Sequence, residues 1–353
     1  MKLFNLEFIG DDTKEFLAEK DVKKSILNGG NVSAFSGKAG NAISLIFSEK
    51  EIILFSMLQW LAISFVYYIW VQMLGWIPVE VWESDSKIYD IPLNAALLLW
   101  SFFCVALAAY PIAILTGAMG AAHFLREQGY QSTIAACLKL AIPNSTKLWM
   151  FHTADGWLTV DMILERLPKK NNPTSPEKRA LKEAFYYAWK VGTIGMPAAL
   201  LTGKGLIEAG KDSILLVKNN LWEVLALRGG YSVICWVIGI AAYIASIFFF
   251  ANFPSLFESD HFLFTFYLWM GVPIIIAVGV IKLFVRPIFV LASCQLYSDY
   301  IKEQGEQVEF KDLPGKGVST FVAFLVLCII MSFVFMYRQE IGLMNILNTS
   351  PGV

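Results

Sequence analysis

Four stretches of this chain, near residues 52–76, 91–122, 231–253 and 317–337, contain no charged side chain, and a fifth, near 262–286, is uncharged as far as Ile281. Each is about as long as a helix must be to cross the hydrocarbon core of a bilayer, roughly 20 residues. Lipid offers no partner to backbone N–H and C=O groups, so a segment this apolar must satisfy them within its own helix. The expected fold class is therefore an all-α integral membrane protein, a polytopic helix bundle with a membrane-surface amphipathic helix described below. Composition points the same way. Only 16% of the 353 residues are charged and 56% are hydrophobic, where a soluble domain carries about 25% charged residues. Tyr67, Tyr68, Trp70 and Trp76 crowd the far half of the first run, as an interfacial belt does. The net charge of −1 provides no basic field for nucleic acid, so no nucleic-acid partner is expected. The five cysteines are scattered without CxxC or metal-ligand spacing and read as small apolar residues. The opening residues, MKLFNLEFIGDD, lack the apolar core of a cleavable signal.

Lys and Arg in the loops set the orientation. The loop 77–90 holds only Lys87 and the loop 254–261 holds neither type, whereas the stretches before residue 52, between 123 and 228, and from 282 to 316 are rich in both. The chain is thus expected to lie multi-pass in the cell (inner) membrane. Residues 1–50 form a cytoplasmic N-terminal segment, 51–337 the bundle, and 338–353 a short extracytoplasmic tail. Between His123 and Arg228 the number of crossings must then be even. Two segments, 145–166 and 184–203, either both cross or both stay in the interface or re-enter. Their charges, among them Asp155, Asp161, Glu165 and Lys190, favour the second arrangement, because a charge at the bilayer centre costs a few kcal/mol on insertion scales.

Residues 203–230 are too polar to span, yet they carry a helical period. Ile207, Gly210, Ile214, Val217, Leu221 and Val224 recur at steps of three and four, which places them on one stripe of a helix. Gly229–Gly230 supplies a stop. This predicts an amphipathic helix over 206–227 lying on the membrane surface, with Ile207, Ile214, Val217 and Leu221 packed into lipid or against the spans. A soluble core helix would show the same pattern.

Two stretches carry a resemblance. SLIFSEKEIILFSMLQW, at the entry to the first run, is similar to the charged entry motif of a broad group of prokaryotic six-span membrane proteins. That group includes the membrane domain attached to some glycerophosphodiester phosphodiesterases. MPAALLTGKGLIEAGKDSILLVKNNLWEVL resembles the group's pattern of a span ending in Pro, a Glu/Gly turn and an amphipathic helix; Pro197, Gly203, Gly205, Glu208, Ala209, Ser213, Leu216, Lys218 and Trp222 carry it. The likeness covers roughly Ser44–Tyr300. It departs at Asn144–Leu167, which is polar where the group has an apolar span, and at Gly317–Tyr337, which is extra. The group has no agreed activity, so the resemblance implies architecture and not mechanism.

Chemistry leaves few marks. Gly37-Lys38 and Gly315-Lys316 fail the phosphate-loop pattern at Val32 and Phe310, and no Gly-x-Ser-x-Gly elbow is present. His152, Asp155 and Asp161 are the nearest approach to a metal or acid–base cluster, without metal-site spacing. No enzyme activity and no cofactor are expected. Lys282 and Arg286, four apart on one face, form a candidate anionic-lipid headgroup site at the inner membrane boundary. Lys190, inside an apolar run, is a candidate functional charge or a snorkelling one. FLREQGYQ at 124–131 and YIKEQGEQ at 300–307 echo each other, as a duplicated unit or as two caps on emerging helices. These features suggest a non-enzymatic membrane subunit that anchors or scaffolds partner proteins through its basic cytoplasmic face, with membrane lipids and a protein partner or second copy as contacts. The alternative is a transporter or lipid-handling protein.

Overall fold

The computed structural model describes residues 40–46, 49–74, 87–166, 176–252, 262–305 and 316–337. Most of the expected N-terminal segment, the tail 338–353 and much of the three loops lie outside the described residues. What is described is all-helical: α1 (Lys50–Leu74), α2 (Lys87–Glu127), α3 (Ile134–Ala141), α4 (Ser145–Arg166), α5 (Pro176–Gly192), α6 (Met196–Leu201), α7 (Leu206–Asn219), α8 (Leu221–Asn252), α9 (Phe262–Val280), α10 (Arg286–Glu303) and α11 (Lys316–Met336). Five segments are long and apolar enough to cross a membrane: Lys50–Gln72, Leu97–Glu127, Leu221–Phe249, Gly271–Glu303 and Gly317–Val334. This is a multi-pass membrane protein built from helices.

The long helix α2 is the hub, with α1, α3, α4, α6, α10 and α11 all packed on it. Small residues allow the close approach. A Cβ on Gly120 would sit 2.7 Å from Leu201 Cδ1 and 3.1 Å from Cys294 Sγ. Ala113, Ala118, Ala121 and Ala122 are buried beside it. Polar ties fix the register of α1: Gln59 Nε2 donates to Thr116 Oγ1 at 3.0 Å, and Trp60 Nε1 donates to Ile275 O at 3.0 Å.

The two segments of uncertain crossing form a hairpin against α2. Helix α4 runs antiparallel to it, from Leu148 beside Gly117, through Gly156 beside Val105, to Trp157 edge-on to Phe102. Helix α5 returns along α4, with Lys182 by Asp161 and Lys190 by Asp155. The hairpin therefore lies alongside the apolar part of α2. The expected helix over 184–203 is in fact broken: α5 stops at Gly192 and α6 starts at Met196, with Pro197 in its first turn.

Two sequence expectations are corrected by the chain's local chemistry. The amphipathic helix ends at Asn219, not near 227, and Gly229–Gly230 is no stop, because α8 begins at Leu221 and runs through both glycines. Asn220 carries the break, with φ −123° and ψ 38°. The fifth apolar run also continues beyond 286. A π-helical turn, Ile281–Val285, joins α9 to α10. Pro287 follows it, lacking an N–H and crowding the carbonyl one turn back, and both effects disfavour a regular α-turn there.

The EQG echo is a pair of matching caps. Gly129 and Gly305 have φ of +82° and +75°, and their N–H groups bond Arg126 O and Lys302 O. This is the left-handed terminus that glycine adopts without steric cost. Both caps lie at one end of the bundle, referred to below as the Glu127 end.

Candidate functional site: a cationic cavity among the apolar helices

A cavity of about 600 Å³ lies inside the bundle. Its walls include Ile63 of α1, Ala108, Ala109 and Ile112 of α2, Ser232 and Cys235 of α8, and Lys282 and Arg286 at the π-turn. Ile63, Ala108, Ala109 and Ile112 fall well inside the uncharged runs of α1 and α2, whereas Arg228 and Lys282 stand at the ends of the uncharged runs 229–257 and 262–281, so the cavity lies among the apolar segments of the bundle. Helix α4 contributes His152 and Asp155, α5 contributes Tyr186 and Lys190, and α8 adds Arg228 and Tyr231.

The charges do not balance. Lys190, Arg228, Lys282 and Arg286 face the cavity, against Asp155 as the single carboxylate among the described residues of its wall. Asp155 is committed: its Oδ1 accepts from Lys190 Nζ at 2.5 Å and from Trp189 Nε1 at 3.2 Å. Arg228 stacks its guanidinium 5.3 Å from the Tyr231 ring centroid and 5.5 Å from that of Phe289, a contact that holds a cation against aromatic walls without neutralising it. Lys282 and Arg286 make no ion pair with any described residue. Arg286 Nε is buried and has no hydrogen-bond partner among them, as is the case for His152 Nε2. An isolated cation among apolar helices is unfavourable by several kcal/mol, and a buried donor left unmatched adds about 1–3 kcal/mol. The π-turn holds Lys282 and Arg286 in one wall.

The sequence-predicted residues are redistributed. Lys282 and Arg286 do share a face, at the point where the uncharged run 262–281 ends. The apolar segment resumes after them, with Val290, Leu291, Leu296 and Ile301 all buried. Lys190 joins them in the same cavity. The suggested cluster separates: His152 and Asp155 line the cavity, whereas Asp161 pairs with Lys182 at 3.5 Å. No group of three His, Cys, Asp or Glu among the described residues could hold a metal ion. Arg228 was hidden because it sat next to a presumed helix stop; a continuous helix through Gly229 would have placed it in the membrane.

The amphipathic helix α7 presents a different stripe to the protein from the one expected. Ala209, Ser213 and Leu216 are buried, while Ile207 is 80% and Ile214 62% exposed. Val217 packs partly against the core and Leu221 is half-buried at the start of α8. Smaller side chains bring the helix close enough for Ser213 Oγ to accept from Gly195 N at 3.1 Å, and the bulky apolar ones face outward. Nearby, Lys204 is held above the ordinary lysine range: burial works against its charge, and its hydrogen bond to Asp212 outweighs that.

No protein-family model matches this chain, and neither a curated protein nor a solved structure matches it.

Proposed function

We propose that this membrane protein binds an anionic ligand in this cavity and works as a transporter or lipid-handling protein. The observation that carries this reading is the cavity's charge: four cationic side chains around about 600 Å³, with one carboxylate already paired. Cations kept among apolar segments are retained for a ligand or a pathway, and transporter sites are built beside irregular helices. The likeness to the six-span group supports architecture only, and the proposal assigns the cavity no catalytic step. The test is thermal unfolding in neutral detergent with anionic lipids and soluble anions added in turn. A ligand that binds the folded state raises the unfolding temperature. The wild type should respond to at least one anion, and Lys282→Gln with Arg286→Gln should not. If both proteins respond alike to every anion, the cavity is not the binding site.

A second reading is a subunit that scaffolds partner proteins, supported by the mixed apolar and basic surface of α5. Its first half exposes Leu181 and Phe185 beside Lys178 and Arg179, at the end of the bundle away from Glu127. The loop charges support an inner-membrane orientation with the N-terminus inside and the C-terminus outside. Cysteine placed at Lys87 should be labelled by an impermeant thiol reagent on intact cells, and cysteine at Lys302 should not; the reverse pattern refutes that orientation.

A further inference from the structure

The cavity has a side door. Tyr187 of α5 and Trp236 of α8 both line it, yet they are 51% and 65% exposed. On the α8 side of this mouth the outer surface is apolar. Val233, Val237, Ile240, Ile244 and Phe248 of α8 are all exposed, and only 6% of the apolar window of α8 is buried. Trp236 lies within the uncharged run of α8, so in a bilayer the α8 side of the gap faces acyl chains. A water-soluble anion would have to cross hydrocarbon to reach it, whereas a lipid already has its tails there.

Resting on the anionic-ligand reading above, we infer that the ligand is an anionic phospholipid that enters sideways between α5 and α8, its phosphate meeting Lys282 and Arg286 while its chains stay outside along α8. The dimensions fit. At about 30 Å³ per water, a 600 Å³ space holds a phosphate with a glycerol-sized headgroup and some water. The charge fits as well. With Asp155 offsetting Lys190, three cations remain, which favours a phosphomonoester headgroup, carrying close to two negative charges, over a singly charged diester. Aromatic walls at the mouth, Tyr186, Tyr187 and Trp236, suit the boundary between headgroup and chain, where amphipathic rings settle.

The experiment uses the full chain in nanodiscs of phosphatidylcholine, alone or doped with phosphatidic acid or phosphatidylglycerol, with a photoreactive residue at position 236. Crosslinking should favour phosphatidic acid over phosphatidylcholine by about tenfold, a difference of about 1.4 kcal/mol, with phosphatidylglycerol between. Lys282→Gln with Arg286→Gln should abolish the preference, and Lys282→Arg with Arg286→Lys should keep most of it, which separates lost charge from lost fold. Soluble glycerol 3-phosphate should not compete. If glycerol 3-phosphate or inorganic phosphate stabilises the protein in a Lys282- and Arg286-dependent way while position 236 shows no lipid preference, lipid entry is refuted and the anion site stands. If neither lipid nor soluble anion distinguishes wild type from the glutamine variant, both readings fall.

Discussion

Two clusters of charge in this molecule obey opposite rules. At the Glu127 end, three cations each have an acid. Glu127 accepts from Ser298 and pairs with Lys302, Arg126 Nε lies 2.6 Å from Glu49, and Lys204 pairs with Asp212. In the cavity Asp155 pairs with Lys190, and Arg228, Lys282 and Arg286 have no acid among the described residues. The first arrangement joins helix ends, each charge answered by its neighbour and helped by water. The second leaves Lys282 and Arg286 with no carboxylate partner among the described residues. Charge pairing is thus the signature of structure here, and charge excess the signature of a site.

Four measurements would break or sharpen that contrast. The largest effect should come from Asp155→Ala, which leaves Lys190 buried without its partner. Removing one member of a buried pair costs about 3–5 kcal/mol, so folded yield and unfolding temperature in detergent should collapse, while Asp155→Asn with Lys190→Met should recover most of the loss. An unchanged unfolding temperature for Asp155→Ala would mean the pair is not buried in the folded protein. Next, Leu216→Asp places a charge on the fully buried stripe of α7 and should lower stability by several kcal/mol, whereas Ile214→Asp in detergent should lower it little. Equal damage from the two would show that the protein-facing stripe has been misassigned. Third, Lys282→Gln with Arg286→Gln should leave unfolding without ligand unchanged or slightly raised, since it relieves like-charge repulsion; a clear loss of ligand-free stability would make these residues structural. The smallest effect belongs to Glu127→Gln. Lys302 is largely exposed, so this pair should contribute under about 1 kcal/mol, read as a slight shift in the unfolding curve.

The bundle was legible in the sequence because its code is coarse. Uncharged runs of bilayer length have one stable solution, and their midpoints needed no knowledge of neighbours. Lys190, Lys282 and Arg286 were also visible as charges at odds with their surroundings. Their convergence was not, since α5 and the π-turn are brought together only by the folding of α4 back along α2. Boundaries failed where two signals competed. Gly229–Gly230 resembles a helix stop, but in a membrane an apolar run on the far side outweighs glycine's weak helix preference, and the chain stayed helical. The stripe on α7 reads as facing lipid or the spans, and the structure turns its two isoleucines away from the protein. Periodicity finds the largest apolar residues, which in a water-soluble helix face the protein.

The π-turn at Ile281–Val285 is, topologically, a single residue inserted into an otherwise α-helical rod. A helix advances about 100° per residue, so that insertion fixes the azimuth of everything from Arg286 to Glu303 relative to α9. Deleting one residue within the turn would let the hydrogen-bond ladder close and would rotate α10 by about that angle, carrying Arg286 out of the cavity and the buried Cys294 and Ser298 off α2. One surplus residue thus works as the phase setting of the bundle, and lengths as well as identities are constrained between Val280 and Pro287.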